Sequence, residues 1–168
     1  MDEAEFDDFY ESSFRRITGQ VYVMIGNWDE AADCVQEAFV RAWQHRARLS
    51  RESSPEAWVR TTAHRLAISR WRRMVRSRRE PDRAHERPAA ANGPNPDHVA
   101  IVAALRQVTD AQRRALVLHY VCDLPIAAIA AETGAAEGTV KAQLSRGRAA
   151  LLAQFRPGSD PLEGVRHA

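Results

Sequence analysis

The sequence predicts an all-α protein made of two small helical domains joined by a flexible linker, the second domain containing a helix-turn-helix. Apolar residues recur at helical spacing almost throughout, with no sustained alternation of the kind a half-buried strand needs. One stretch, residues 80–96, breaks that pattern with Pro81, Pro88, Pro94 and Pro96 among alanine, asparagine, glycine and charge. Such a composition builds no core and reads as a linker. Beyond it, a short helix, a glycine turn and a helix apolar on one side only follow in succession.

The elements follow in order. A first helix is expected from Glu3 to Ile25, burying Phe6, Phe9, Tyr10, Ile17 and Val21, and Gly26-Asn27 ends it. A second runs from about Asp29 to His45 with an apolar stripe of Ala32, Val35, Phe39, Ala42 and Trp43. A polar loop covers 46–54. Ser54-Pro55-Glu56 then opens a third helix, extending to Arg79. Serine caps free amides, proline suits the first turn, and glutamate favours the positive helix end. Past the linker, a helix near Asp97 carries Val99, Val102, Leu105 and Val108, and Thr109-Asp110-Ala111-Gln112 forms a capping box for the next. Pro125 opens a short helix that Gly134 closes, and a last helix spans about Glu137 to Phe155. The resulting divisions are a domain at 1–79, the linker at 80–96, a domain at 97–156 and a flexible tail at 157–168.

Charge is balanced in sum, with 24 basic and 22 acidic side chains, but segregated along the chain. Asp2, Glu3, Glu5, Asp7, Asp8 and Glu11 open it, while residues 60–87 hold ten arginines against Glu80, Asp82 and Glu86. The arginine-rich stretch predicts an electropositive face suited to a polyanion. The acidic start opposes export, and the longest apolar run, Val21 to Ile25, is too short to cross a bilayer, so a cytoplasmic protein without membrane insertion is expected. Cys34 and Cys122 lie far apart in helical patterns and read as small buried hydrophobes. Trp58 and Trp71 read as core packing.

In the last helix Val140, Leu144, Gly147 and Leu151 should face inward. Lys141, Ser145 and Arg148 share an outward stripe with Arg146 beside them. The alanines at 127, 128, 130 and 131 permit close helix approach. A helix of this kind fits the major groove, where each base pair shows its own donor and acceptor pattern. Gly138-Thr139 at its start would bring short groups and free amides near phosphate.

The run Leu105 to Leu152 resembles the C-terminal domain of sigma-70 family sigma factors, extracytoplasmic-function (ECF) group. The residues that carry the likeness are Gln112-Arg113, Leu118-His119-Tyr120, Asp123-Leu124, Ile129-Ala130, Gly134, Gly138-Thr139-Val140-Lys141 and Leu144-Ser145-Arg146-Gly147-Arg148. Independently, Asp33-Cys34-Val35-Gln36-Glu37-Ala38-Phe39 with Ala42-Trp43 resembles that family's polymerase-binding motif. Trp58, Arg60, Arg65 and Arg72-Arg73 resemble its −10-handling helix. His64 and Ser69 stand where the family usually shows asparagine and aspartate, and Ala142-Gln143 where a Ser-Arg pair is common.

The resemblance implies a sigma factor that binds bacterial core RNA polymerase and promoter DNA, both duplex and melted strand, and promotes transcription initiation. It implies a core-polymerase face of Asp33, Gln36, Glu37, Val40 and Gln44, and −10 contacts from Arg60, Arg65, Ser69, Arg72, Arg73 and Arg76. It assigns −35 contacts to Thr139, Lys141, Ser145, Arg146 and Arg148. By the same analogy the loop at 48–54 catches a flipped base, and an anti-sigma protein is a common partner in this group. No catalysis, cofactor or metal is expected. Two rivals stand beside this reading. One is a conventional helix-turn-helix regulator with an N-terminal interaction domain. The other is a metal-dependent enzyme using Asp29, Asp33 and Glu37 with His45 or His64.

Overall fold

The computed structural model describes residues 1–49, 54–77 and 94–154. All regular structure among them is helical, in eight helices: α1 (Glu3–Ile25), α2 (Trp28–Gln44), α3 (Arg46–Leu49), α4 (Pro55–Ser77), α5 (Pro96–Leu105), α6 (Asp110–Tyr120), α7 (Ile126–Thr133) and α8 (Glu137–Gln154). The chain forms two compact units that divide within α5, one ending at Val102 and the other starting at Ala103. The expected tail and most of the expected linker lie outside the described residues.

Local chemistry explains the helix ends of the first unit. Asp2 caps α1 through a reciprocal box with Glu5 (Glu5 N to Asp2 Oδ1, 2.9 Å; Asp2 N to Glu5 Oε2, 2.8 Å). Gly26 ends α1 in the left-handed region at φ 77°, which costs glycine nothing, and Asn27 caps α2 by accepting from Glu30 N at 3.0 Å. Ser54 caps α4, its Oγ accepting from Ala57 N at 3.2 Å. The polar loop expected at 46–54 instead begins with the short helix α3. Its anchor is Leu49, only 1% exposed, the one large apolar residue in an otherwise polar stretch.

In the first unit α1, α2 and α4 pack against one another. Phe39 of α2 is central to an aromatic cluster, with Phe6, Phe9, Tyr10 and Phe14 of α1 at ring separations of 6.2, 5.4, 5.0 and 6.1 Å. Edge and tilted pairs of this kind contribute roughly 0.5–1.5 kcal/mol each beyond their burial. Trp43 packs half-buried against Phe6 at 5.1 Å and carries the Arg46 guanidinium 4.2 Å over its ring. Arg16 and Glu56 join α1 to α4 by a two-pronged pair at 2.6 and 2.7 Å, and the guanidinium holds the Glu56 carboxyl below its usual range. Both partners are substantially exposed, so the pair orients the helices more than it stabilises them.

Cys34 is fully buried, as its place in the α2 stripe suggested, and Cys122 is half-buried; both are free thiols. Burial, then the hydrogen bond from its Sγ to Glu30 Oε1 at 3.3 Å, pushes the Cys34 thiol up to about 12. At pH 8 that leaves roughly a thousandfold less thiolate than a free cysteine would have. Iodoacetamide should therefore label Cys34 in the native chain far more slowly than in 6–8 M urea, as followed by peptide mass. Equal rates in the two conditions would refute this protection.

In the second unit α6 packs on α8, and α7 on both. Thr109 and Gln112 form the expected capping box at the start of α6. Pro125 stands at the N-cap of α7, and Gly134, at φ 73°, closes that helix. Gly147 permits the tight α6–α8 crossing. A Cβ there would lie 2.8 Å from Leu116 Cδ1 and 3.2 Å from its Cγ, so the buried Leu116 would have to shift. Leu116, Val117, Leu118, Ile129, Val140 and Leu144 form the core of this unit. Leu151, expected inside, is half-buried.

Candidate protein and nucleic-acid interfaces

The helix α2 separates two faces. Ala31, Cys34, Val35, Ala38, Phe39 and Ala42 are buried. Asp33, Gln36, Val40 and Gln44 are exposed and Glu37 is half-exposed, at spacings that put them together on the opposite side. Val40, a β-branched apolar residue, is 52% exposed in the middle of this polar surface. Glu37 is held by Arg41 one turn on (Nε to Oε1, 3.0 Å), an exposed pair that a stronger partner can displace. The surface thus combines carboxylates, amides and one apolar contact, a mixture suited to docking a basic, partly apolar helix. Among the described residues no group of three or more His, Cys, Asp or Glu is placed to hold a metal ion. The Asp29, Asp33 and Glu37 trio is therefore not gathered into a metal site.

On α4, Arg65, Ser69, Arg72 and Arg76 lie exposed along one stripe with Arg73 beside it. Their guanidinium groups are available to phosphate oxygens, for which arginine's planar fork is suited. Arg60 corrects the sequence expectation. It is 3% exposed, and its NH1 donates to Gln20 Oε1 of α1 at 3.0 Å in the interior of the unit. A cation buried this deeply and hydrogen-bonded there ties α4 to α1 and stands apart from the exposed stripe. Its helical phase shows why: Ala63 and Ala67, three and seven residues on and on its side of the helix, are buried.

Trp71 is the second correction. Expected in the core, it is 54% exposed, with Met74 at 43% and Val75 at 49%. The face of α4 that is buried at Ala63 and Ala67 continues to Trp71 and Met74 beyond the helices that cover it. Trp58 behaves nearer to expectation, half-buried with His45 set edge-on to its ring at 6.3 Å. Arg79 and residues 50–53 of the loop expected to catch a flipped base lie outside the described residues.

On α8, Val140, Leu144 and Gly147 turn inward, while Thr139, Lys141, Ser145, Arg146 and Arg148 are all exposed. The first turn of α8 carries Thr139, and its free amides favour anions. Together α7, the Gly134 turn and α8 have the connectivity of a helix-turn-helix, with the polar face of the second helix open to solvent. Sequence reasoning missed two participants. Gln20, the partner of Arg60, carries no local signal. Tyr120, whose hydroxyl accepts from Arg148 NH1 at 3.1 Å, is a large aromatic at a helix end that could have been flagged as surplus to the core.

Two family models match the chain, one in each half. Residues 9–78 match the family model described as Sigma-70 region 2, and residues 98–151 match Sigma-70, region 4. The chain is 32% identical over 148 residues to the ECF RNA polymerase sigma factor SigC of Mycobacterium tuberculosis, covering 80% of this chain and 74% of that protein. It is 28% identical over 156 residues to the ECF sigma factor SigK of the same species, covering 85% and 81%. Among solved structures it is similar in fold to the sigma factor RpoE of Bartonella quintana, determined in complex with the anti-sigma factor NepR. The TM-score is 0.73 at 24% identity, covering 90% of this chain and 99% of that one.

Proposed function

Since the chain belongs to the sigma-70 family, as an ECF sigma factor acting in promoter recognition and transcription initiation, we propose that its three exposed faces divide that task. The α2 face of Asp33, Gln36, Glu37, Val40 and Gln44 docks on core RNA polymerase. The α4 stripe of Arg65, Ser69, Arg72, Arg73 and Arg76 grips the −10 region, duplex and separated strand. The α8 face of Thr139, Lys141, Ser145, Arg146 and Arg148 reads the −35 duplex.

The observation that carries this reading is the segregation of surface chemistry. The acidic and amide face of α2 suits a protein partner and would repel DNA, whereas the arginine stripe and the α8 face suit phosphate. The two kinds of surface lie on different helices of one small chain, as a factor that joins an enzyme to a nucleic acid requires. Action by binding alone is consistent with this, sigma factors not being enzymes. The place of action is the cytosol at the nucleoid; no helix among the described residues is long and apolar enough to cross a membrane. By analogy with RpoE and NepR, an anti-sigma protein is a third partner.

Run-off transcription with core polymerase, with and without this chain, on the region upstream of its own gene tests the reading. A transcript that depends on the chain supports it. A chain that shifts duplex DNA alone and adds nothing to core polymerase would instead be a conventional regulator.

A further inference from the structure

The hydroxyl of Tyr120 belongs to the last residue of α6, outside the helix-turn-helix, yet it receives a guanidinium N–H of Arg148 from the outward face of α8 at 3.1 Å. Tyr120 is 58% exposed, so core packing does not hold it there. Its ring instead stands edge-on to His119 at 4.7 Å and 73°. His119 is fixed in turn, its Nδ1 lying 3.0 Å from the Leu124 carbonyl. That carbonyl is placed by the tight loop after α6, where Asp123 takes the left-handed region at φ 53° and Leu124 N returns to Leu118 O at 3.0 Å. A continuous chain of contacts therefore runs from the loop through His119 and Tyr120 to Arg148.

This chain has two physical consequences. An exposed arginine samples many rotamers, and ordering it on a ligand opposes binding; a side chain already held loses less. A phenol oxygen that accepts from arginine also keeps its own hydrogen free to donate, directed away from the guanidinium. Arg148 shares its stripe with Ser145 and Lys141, three and seven residues before it, so the pair presents two kinds of donor at the rim of that face. Two convergent donors, one of them cationic, match the oxygens of a single phosphodiester.

We propose that Tyr120 is a DNA-positioning residue that holds Arg148 ready to grip one backbone phosphate beside the −35 element, so that α6 takes part in duplex binding. The inference rests on the reading of α8 as the DNA-facing helix, and the experiment separates the two. Holoenzyme is assembled from the full chain and core polymerase. Its binding is titrated, across a salt series, on the promoter duplex that supports run-off transcription.

Y120F removes the hydroxyl and keeps the ring, and because the side chain is exposed, the thermal melt should not move. It should weaken promoter binding about 3- to 10-fold, the scale of one hydrogen bond, and leave the salt slope unchanged because no charge is lost. R148A should weaken binding further and reduce the log–log salt slope by about one. The double variant should fall short of the summed losses of Y120F and R148A, since holding Arg148 matters only while Arg148 is present. If K141A weakens binding while Y120F does not, or if Y120F and R148A add, the role of Tyr120 is overturned and the α8 reading stands. If K141A, R146A and Y120F all bind as the parent does, the α8 reading falls and this inference with it.

Discussion

Replacing Asp33 and Glu37 together with arginine is expected to lower the affinity of the chain for core polymerase about 100-fold or more and to abolish run-off transcription. Both carboxylates lie on the open side of α2, and neither contributes to the aromatic core on the other side. Reversing two charges in a docking surface replaces attraction by like-charge contact, which costs several kcal/mol, and each 1.4 kcal/mol is tenfold in affinity. The fold should survive. Among the described residues the pair lost is the exposed Glu37–Arg41 bridge, and the arginine introduced in place of Glu37 would stand one turn from Arg41, together a matter of about 0.5 kcal/mol. Co-purification of the double variant with core polymerase at parental levels, with an unchanged circular dichroism melt, would show that this face is not the docking surface.

Arg60→Ala acts in the opposite way, on the fold and only through it on function. The substitution removes a buried charged donor and strands the Gln20 carbonyl oxygen in the interior of the first unit. A lost hydrogen bond to a charged group and an unsatisfied buried acceptor together cost about 3 kcal/mol. For a unit of this size the melting temperature should fall on the order of 10–20 °C. Arg65→Ala, on the exposed stripe one turn further, should change stability by about 0.5 kcal/mol or less while weakening DNA binding and its salt dependence. The two variants therefore separate an arginine that builds α4 from one that α4 presents. A melt in which Arg60→Ala resembles the parent would contradict the buried Arg60–Gln20 contact.

Much of the architecture was legible because helix ends are written in residues a few positions apart. The Gly26 break, the Ser54-Pro55 start, the Thr109–Gln112 box and the Gly134 stop each depend on backbone groups within one turn. The two-faced character of α2 and α8 was legible for a similar reason, since a period near 3.6 residues sorts side chains by face before any partner is known. The short helix α3 escaped because one buried leucine in a polar stretch carries no periodicity. Trp71 was misplaced because periodicity tells which face a residue shares, not where along the helix its covering neighbours end.

The amino-acid order alone determined the all-helical class, the limits of the longer helices and the candidate faces, since these follow from propensity, capping and spacing within single segments. Tertiary structure decided which members of those faces are spoken for. Arg60 and Arg65 lie on different sides of α4, but only the packed unit shows that Gln20, forty residues before Arg60, is the partner that holds it in the interior while Arg65 stays in solvent. Arg148 likewise meets Tyr120, twenty-eight residues before it, across the packing of α8 on α6. Contacts between distant segments depend on how whole helices cross and how far each extends, and no local pattern encodes that.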